Sequence, residues 1–495
     1  MKKLIYYFTA FISIFFGTVF FLTNVFFNVE KVWTDHYTNL SQLKFSYILP
    51  PVLSALIIYV AVLILKKNKF RFTQAIITIW SIIVGILFTK APTAGDAGIV
   101  IKYAHQFSQN NFEGLSDSYI QNFPFQLGLI GFEEVVFRII QLPETSVIAI
   151  FILINAFMIG GIYTFLYKIT NLYFKDQQTL TIFFVIFLGC LQIFIATGYL
   201  YGWIPMLFLS SAAMYYLFTN NPWIALLFLS VAYITKPNTL IIFIAILIYL
   251  LYNFKVSKKQ ILILFLFVVV PICASYVPAQ IYSIRSGVHL SNGMSKLVWI
   301  DMGLTNSVSS YDNPHNLGML NGNEIDSYGS FNGETYDFSE ESKVDITKNN
   351  SDTTNSYLQN RINTRLKEFA SNPIDAVAFF SNKYLLQWGN SSFSTIQFFR
   401  LADYLHPIIS TISTVYMQGF NLLISIFYLL ALVQIIKRKD DFQYLIIPLI
   451  ISGTTLYSLI SEPREYSGLI MFILMLPYAA AGIKNSTIYL STNKN

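Results

Sequence analysis

Long apolar blocks dominate this chain, separated by short polar turns. They fall at 4–27, 46–65, 72–90, 144–167, 178–196, 200–218, 222–235, 238–254, 260–283, 407–436, 441–460 and 466–484. A helix rises about 1.5 Å per residue, so about 20 such residues cross a hydrocarbon core of about 30 Å. The pattern predicts an all-α polytopic membrane protein with about twelve transmembrane helices. The two blocks that meet at Lys236-Pro237 also admit a reading as one broken hairpin. Between 119 and 141, Glu133, Glu134 and Arg138 make a full crossing costly, which predicts a helix lying on the membrane face or dipping into it.

Composition agrees. Of 495 residues, 55% are hydrophobic and 12% charged, against about a quarter charged in soluble domains. Met1-Lys2-Lys3 leads into the first block without a small-residue cleavage site, so that block reads as a retained span. The net charge of +6 sits at block ends, where it sets topology and does not mark nucleic-acid binding. With the amino terminus inside and the blocks alternating, Lys2, Lys3, Lys66, Lys67, Lys69, Arg71, Lys168, Lys175, Lys255, Lys258, Lys259, Lys437, Arg438, Lys439, Lys484 and Lys494 fall inside. The short outer turns hold only Lys31, Lys44, Lys90, Lys102, Arg138, Lys236 and Arg464. Both termini are then cytoplasmic. Cys190 and Cys273 lie inside apolar blocks and read as packing residues, not a disulfide or metal pair.

Three units follow: residues 1–283 with an outer loop at 91–143, an outer loop at 284–406, and carboxy-terminal spans at 407–495. The late loop is Asn-, Ser- and Gly-rich, and its stretch from Ser339 to Ser356 reads as a mobile surface loop. Its flanks at Val298–Leu304 and Ala376–Gly389 carry enough apolar residues to pack, the second as a juxtamembrane helix ending in Gln387-Trp388-Gly389-Asn390.

This topology gathers the unusual polar residues on one face. Asp96 follows a span in a Pro/Gly turn, where a carboxylate can serve as general base or simply cap the next helix. Tyr119, Gln126, Glu133 and Glu134 follow; the adjacent glutamates diverge on a helix, so one could face a site while a solvated helix face explains either. Lys236 suits a lipid phosphate or snorkelling to headgroups. Arg464, beside Tyr466, suits phosphate or an ion pair with Glu462 or Glu465. Arg285 and Trp388 complete the candidates. His36, His105, His289, His315 and His406 show no metal spacing, and no nucleotide-binding glycine loop or nucleophile elbow is present. A sugar donor on the outer face would be lipid-linked rather than a nucleotide sugar.

Gly95-Asp96 with the helix to Phe112, the Tyr119–Arg138 segment, Ile234-Thr235-Lys236-Pro237-Asn238, Gln387-Trp388-Gly389-Asn390 and the Glu462–Tyr466 turn together resemble the GT-C superfamily of integral membrane glycosyltransferases. That superfamily includes the protein O-mannosyltransferases and bacterial polyprenyl-phosphate-sugar-dependent transferases. The resemblance implies a GT-C-like bundle with juxtamembrane helices in the first outer loop, in a bacterial plasma membrane. It also implies an inverting transfer of sugar from a polyprenyl-phosphate donor to an envelope glycan, lipid or protein. Asp96 would be the base, and Lys236 or Arg464 would meet the leaving phosphate. Asp96 is followed by Ala97 rather than a second acid, so no metal or other cofactor is expected.

Two rivals come from other classes. A polysaccharide polymerase or ligase would rely on late-loop cations such as Arg285, Arg361, Arg365 or Arg400; a lipid-linked sugar flippase would carry charges deep in several spans. The topology predicts that a single cysteine at Asn313 is labelled by an impermeant reagent from outside and one at Lys439 is not. The opposite labelling would overturn the assignment of faces.

Overall fold

The computed structural model describes residues 2–31, 38–42, 72–88, 95–141, 144–291, 293–304, 324–325, 352–393, 395, 406–439, 441–461 and 465–492. The apolar blocks within these ranges are helices. They are α1 Lys2–Phe26, α2 Thr73–Phe88, α6 Glu144–Phe174, α7 Gln177–Gly189, α8 Leu191–Ile195, α9 Trp203–Phe218, α10 Pro222–Thr235, α11 Leu240–Tyr252, α12 Lys258–Ser286, α16 His406–Arg438, α17 Ile446–Ile460 and α18 Glu465–Thr492. The first outer loop contributes α3 Asp96–Ser108, α4 Ser118–Asn122 and α5 Leu127–Ile140; the late loop contributes α13 Leu297–Leu304, α14 Asp352–Ser371 and α15 Pro373–Trp388. The expected span at 46–65, the Lys90–Ala94 turn, Glu462, Arg464 and Arg400 lie outside the described residues.

The chain is a multi-pass helical membrane protein. Six of these helices are long and apolar enough to cross a bilayer, or seven if α7 and α8, bent by 52°, count as one broken span. Residues 73–86, α9, α10 and 237–252 are shorter apolar helices. At 14 residues, α5 is about 21 Å long and does not span. One short antiparallel sheet follows α1 and touches α15: β1 Phe27–Lys31 pairs with β2 Thr38–Gln42, which pairs with β3 Glu324–Ile325 of the late loop.

Helix α18 is the axis of the bundle, with 94% of its apolar span buried, whereas α12 buries only 22% and lies at the edge. Lipid would cover the exposed Phe265, Val268, Ile272 and Ile281 of α12. The two ends of the bundle differ in chemistry. At one end Lys2 lies over the Tyr252 ring, Lys168 lies over Tyr215, and Tyr252 stacks on Phe442. These are ends expected inside. At the other end the first outer loop meets the end of α12 and the late loop: Ser291 Oγ donates to the Gln121 carbonyl, and Met294 N–H to Asn122 at 3.1 Å.

Two expectations about the late loop change. The stretch read as mobile surface ends in structure, because Asp352–Ser356 is the first part of α14. The α15 helix is surface-exposed at its start, at Ile374 and Val377. Its carboxy-terminal half enters the bundle, where Trp388 is 1% exposed and packs 4.9 Å from Phe20.

What holds α15 there is an ammonium group. Lys383 is wholly buried and its Nζ donates to the carbonyls of Gly303 at 2.5 Å, Leu459 at 2.6 Å and Ser461 at 2.6 Å. Three protons meet three acceptors. Two of the acceptors lie at the end of α17, whose last carbonyls have no partner within the helix. Lys383→Met should therefore lower the unfolding free energy of the solubilised protein by at least about 2 kcal/mol. Thermal unfolding checks this, and an unchanged midpoint would show that water replaces the ammonium freely.

Candidate functional site

Two breaks in the helical ladder build the site. At the first, α10 ends at Thr235 because Pro237 cannot donate into a continuing helix and drives its predecessor into extended backbone. Lys236 accordingly has φ −151° and ψ 109°. Its carbonyl is taken up by the Thr239 hydroxyl at 2.8 Å. At the second, the chain turns between α8 and α9 through Tyr199-Leu200-Tyr201-Gly202-Trp203. Gly202 has φ +77°, and a Cβ there would sit 3.2 Å from Leu129. Glycine also sets the approach of the first outer loop, since a Cβ on Gly128 would lie 1.8 Å from the Ile234 carbonyl. These contacts bring α5, α10 and the 199–203 elbow together.

Asp96 opens α3, but its side chain does not cap it; Gly95 holds the cap position without a side-chain bond. The helix-capping reading is thereby set aside. Instead Asp96 Oδ2 accepts a hydrogen bond from the Tyr201 hydroxyl at 2.8 Å. The same hydroxyl accepts from Gln126 Nε2 at 2.5 Å, and Gln126 also reaches the Tyr119 hydroxyl at 3.4 Å. Burial, reinforced by the Asp96 charge, pushes both tyrosines above their ordinary pKa, so each remains a neutral donor near pH 7. No salt bridge to Asp96 exists among the described residues.

The Lys236 ammonium lies 3.5 Å from the centroid of the Tyr201 ring and 4.7 Å from that of Trp203, a cation held against two aromatic faces. Tyr199 stacks on Tyr466 with centroids 4.7 Å apart. Tyr199, Trp203 and Tyr466 line a narrow apolar cleft. Its walls are Ile193, Ile204, Leu207, Leu469, Ile470 and Ile473. The arrangement offers a carboxylate with neutral donors, a nearby cation and an apolar slot at one depth.

Five of the expected site residues, Asp96, Tyr119, Gln126, Lys236 and Tyr466, thus belong to one neighbourhood. Glu134 and Arg285 form another, in which Arg285 and Arg138 reach the carboxylate at 2.5 and 2.7 Å and Tyr282 donates to it at 2.5 Å. Burial works to raise the Glu134 carboxyl, but these bonds outweigh it and hold it below the ordinary glutamate range. Glu133 is buried too; its Oε2 has no hydrogen-bond partner among the described residues, and burial pushes its carboxyl well up. Neither glutamate lies on a solvated face. Trp388 is in the core. Tyr199, Tyr201 and Trp203 were not anticipated, although an aromatic run around glycine at a predicted membrane edge is a visible signal.

Among the described residues no three His, Cys, Asp or Glu side chains group to hold a metal. No family model, curated protein or solved structure matches the chain.

A carboxyl held low in the folded state stabilises it above the ordinary glutamate range and loses that contribution as pH falls through its lowered value. Glu134→Gln should destabilise the protein at pH 7 by about 2 kcal/mol, allowing for solvent screening of the partly exposed arginines. The difference from wild type should shrink as pH falls below about 4, in unfolding measured across pH. A pH-independent difference would contradict the ion-pair account.

Proposed function

We propose that this chain is an inverting membrane glycosyltransferase of GT-C type. It would move a sugar from a polyprenyl-phosphate donor to an envelope glycan, lipid or protein. The observation that carries this reading is the meeting of Asp96, Lys236 and an apolar cleft at one end of the bundle. Asp96 takes the proton from an acceptor hydroxyl, whose oxygen forms the new bond to the anomeric carbon. The bond from that carbon to the phosphate oxygen breaks with inversion, and the electron pair leaves with the polyprenyl phosphate. Lys236 stabilises the departing charge, which is worth most where water is excluded. The cleft suits an isoprenoid tail, being apolar along its length and aromatic at its rim.

The full arrangement in this reading has about twelve spans, cytoplasmic termini and an extracytoplasmic site in a bacterial plasma membrane. The clustering of Lys2 and Lys168 at the end opposite Asp96 supports that orientation. The polymerase reading is weaker because three of its cations, those among the described residues, are engaged elsewhere. Arg285 is bound to Glu134, Arg361 to Asp301 at 3.0 Å, and Arg365 to Glu368 at 2.9 Å. The flippase reading is weaker because charged residues in the described spans sit near helix ends.

Asp96→Asn keeps size and removes the base, so it should preserve membrane level while cutting transfer about a hundredfold or more, some 2.7 kcal/mol of barrier. Lys236→Ala should weaken donor binding or turnover by about tenfold. Sugar incorporation into the envelope at matched protein level measures both. Normal transfer by a well-folded Asp96→Asn protein would end the base assignment.

A further inference from the structure

We infer that Tyr201 is the positioning residue that holds the base and the phosphate-binding cation in fixed register, joining Asp96 through its hydroxyl and Lys236 through its ring face. The inference rests on the glycosyltransferase reading above and adds to it a residue that touches neither sugar nor phosphate.

The geometry makes the two ends of this one side chain do different things. The hydroxyl donates to Asp96 Oδ2 at 2.8 Å and is itself fixed by Gln126 Nε2 at 2.5 Å. A hydroxyl has one proton, and the bond from Gln126 directs that proton toward the carboxylate. Asp96 is thereby held in one orientation by a neutral donor, with no ion pair to it among the described residues. The ring face carries the Lys236 ammonium at 3.5 Å from its centroid. Trp203 covers the same ammonium at 4.7 Å, so two aromatic faces meet the cation at the elbow.

The backbone under Tyr201 is stiff in the way this role requires. Gly202 follows in the left-handed region, and Tyr199 is stacked on Tyr466. The elbow therefore cannot swing without breaking contacts to α5 and α18. In a displacement reaction the attacking hydroxyl and the leaving oxygen lie on opposite sides of the anomeric carbon. A base and a phosphate cation that shared one rigid tether would keep their separation when the donor arrives, and misplacement by about 1 Å is enough to cost about a hundredfold in rate.

Tyr201→Phe and Tyr201→Leu separate the two functions. The test uses the full chain, with binding of a labelled polyprenyl monophosphate to the purified protein and sugar incorporation in cells at equal protein level. Tyr201→Phe keeps the ring, so binding should stay within about twofold of wild type while transfer falls about tenfold or more. Tyr201→Leu should lose about fivefold in binding as well. If Tyr201→Phe does not reach the membrane, Gln126→Met removes the bond behind the hydroxyl and should give the same split, with binding kept and transfer reduced. Wild-type transfer by Tyr201→Phe, or wild-type binding by Tyr201→Leu, would overturn the inference. Asp96→Asn and Lys236→Ala run alongside distinguish the levels. If those two are impaired and Tyr201→Phe is normal, only the tether fails; if they too are normal, the glycosyltransferase reading fails with it.

Discussion

A backbone polar group left open in lipid costs several kcal/mol, so a membrane helix can break only where something else satisfies the freed groups. This chain breaks repeatedly and meets that demand each time. Where α7 and α8 bend, the Gly189 carbonyl receives the Tyr416 hydroxyl at 2.6 Å. Beyond α8, the Thr197 carbonyl receives Asn155 at 3.0 Å. At the α10–α11 break Thr239 serves Lys236, and at the end of α17 Lys383 serves Leu459 and Ser461. The last three breaks lie toward the end of the bundle that holds Asp96. Irregular backbone at a membrane edge brings polar side chains with it, and the candidate site is assembled from them.

Two carboxylates of the 95–141 segment, Glu134 and Asp96, show how environment assigns roles. Glu134 is met by two arginines and a tyrosine, and its charge is spent on tying α5 to α12. Asp96 is met by a neutral hydroxyl that is ordered from behind by an amide. A carboxylate fully engaged by cations is a poor base.

Much of this was legible in the sequence. Unbroken apolar blocks gave the helices, and the break at Lys236-Pro237 was visible as a polar pair between two of them. Asp96, Gln126, Lys236 and Tyr466 stood out because each is polar at a predicted outer edge. Tyr201 did not, because tyrosines are common at membrane interfaces and its meaning comes from partners 105 and 75 positions away. Glu134 and Arg285 could be seen as charges but not as a pair, since 151 residues separate them. The burial of Trp388 was not legible, because an apolar helix after a polar loop reads equally as surface-bound or as inserted. Its packing on Phe20 and the Lys383 contacts to α17 show that the helix end enters the bundle.

The central claim is that Asp96, Lys236 and the cleft between α9 and α18 form one site for a polyprenyl phosphate. It is tested most directly by an experimental structure of the full chain in a lipid nanodisc with polyprenyl monophosphate bound. The account predicts phosphate density beside the Lys236 ammonium, on the Tyr201 side of Trp203, with the first isoprene units running between Ile204, Leu207 and Ile470. Phosphate bound instead among Arg361 and Arg365 of the late loop, with the cleft empty, would contradict it.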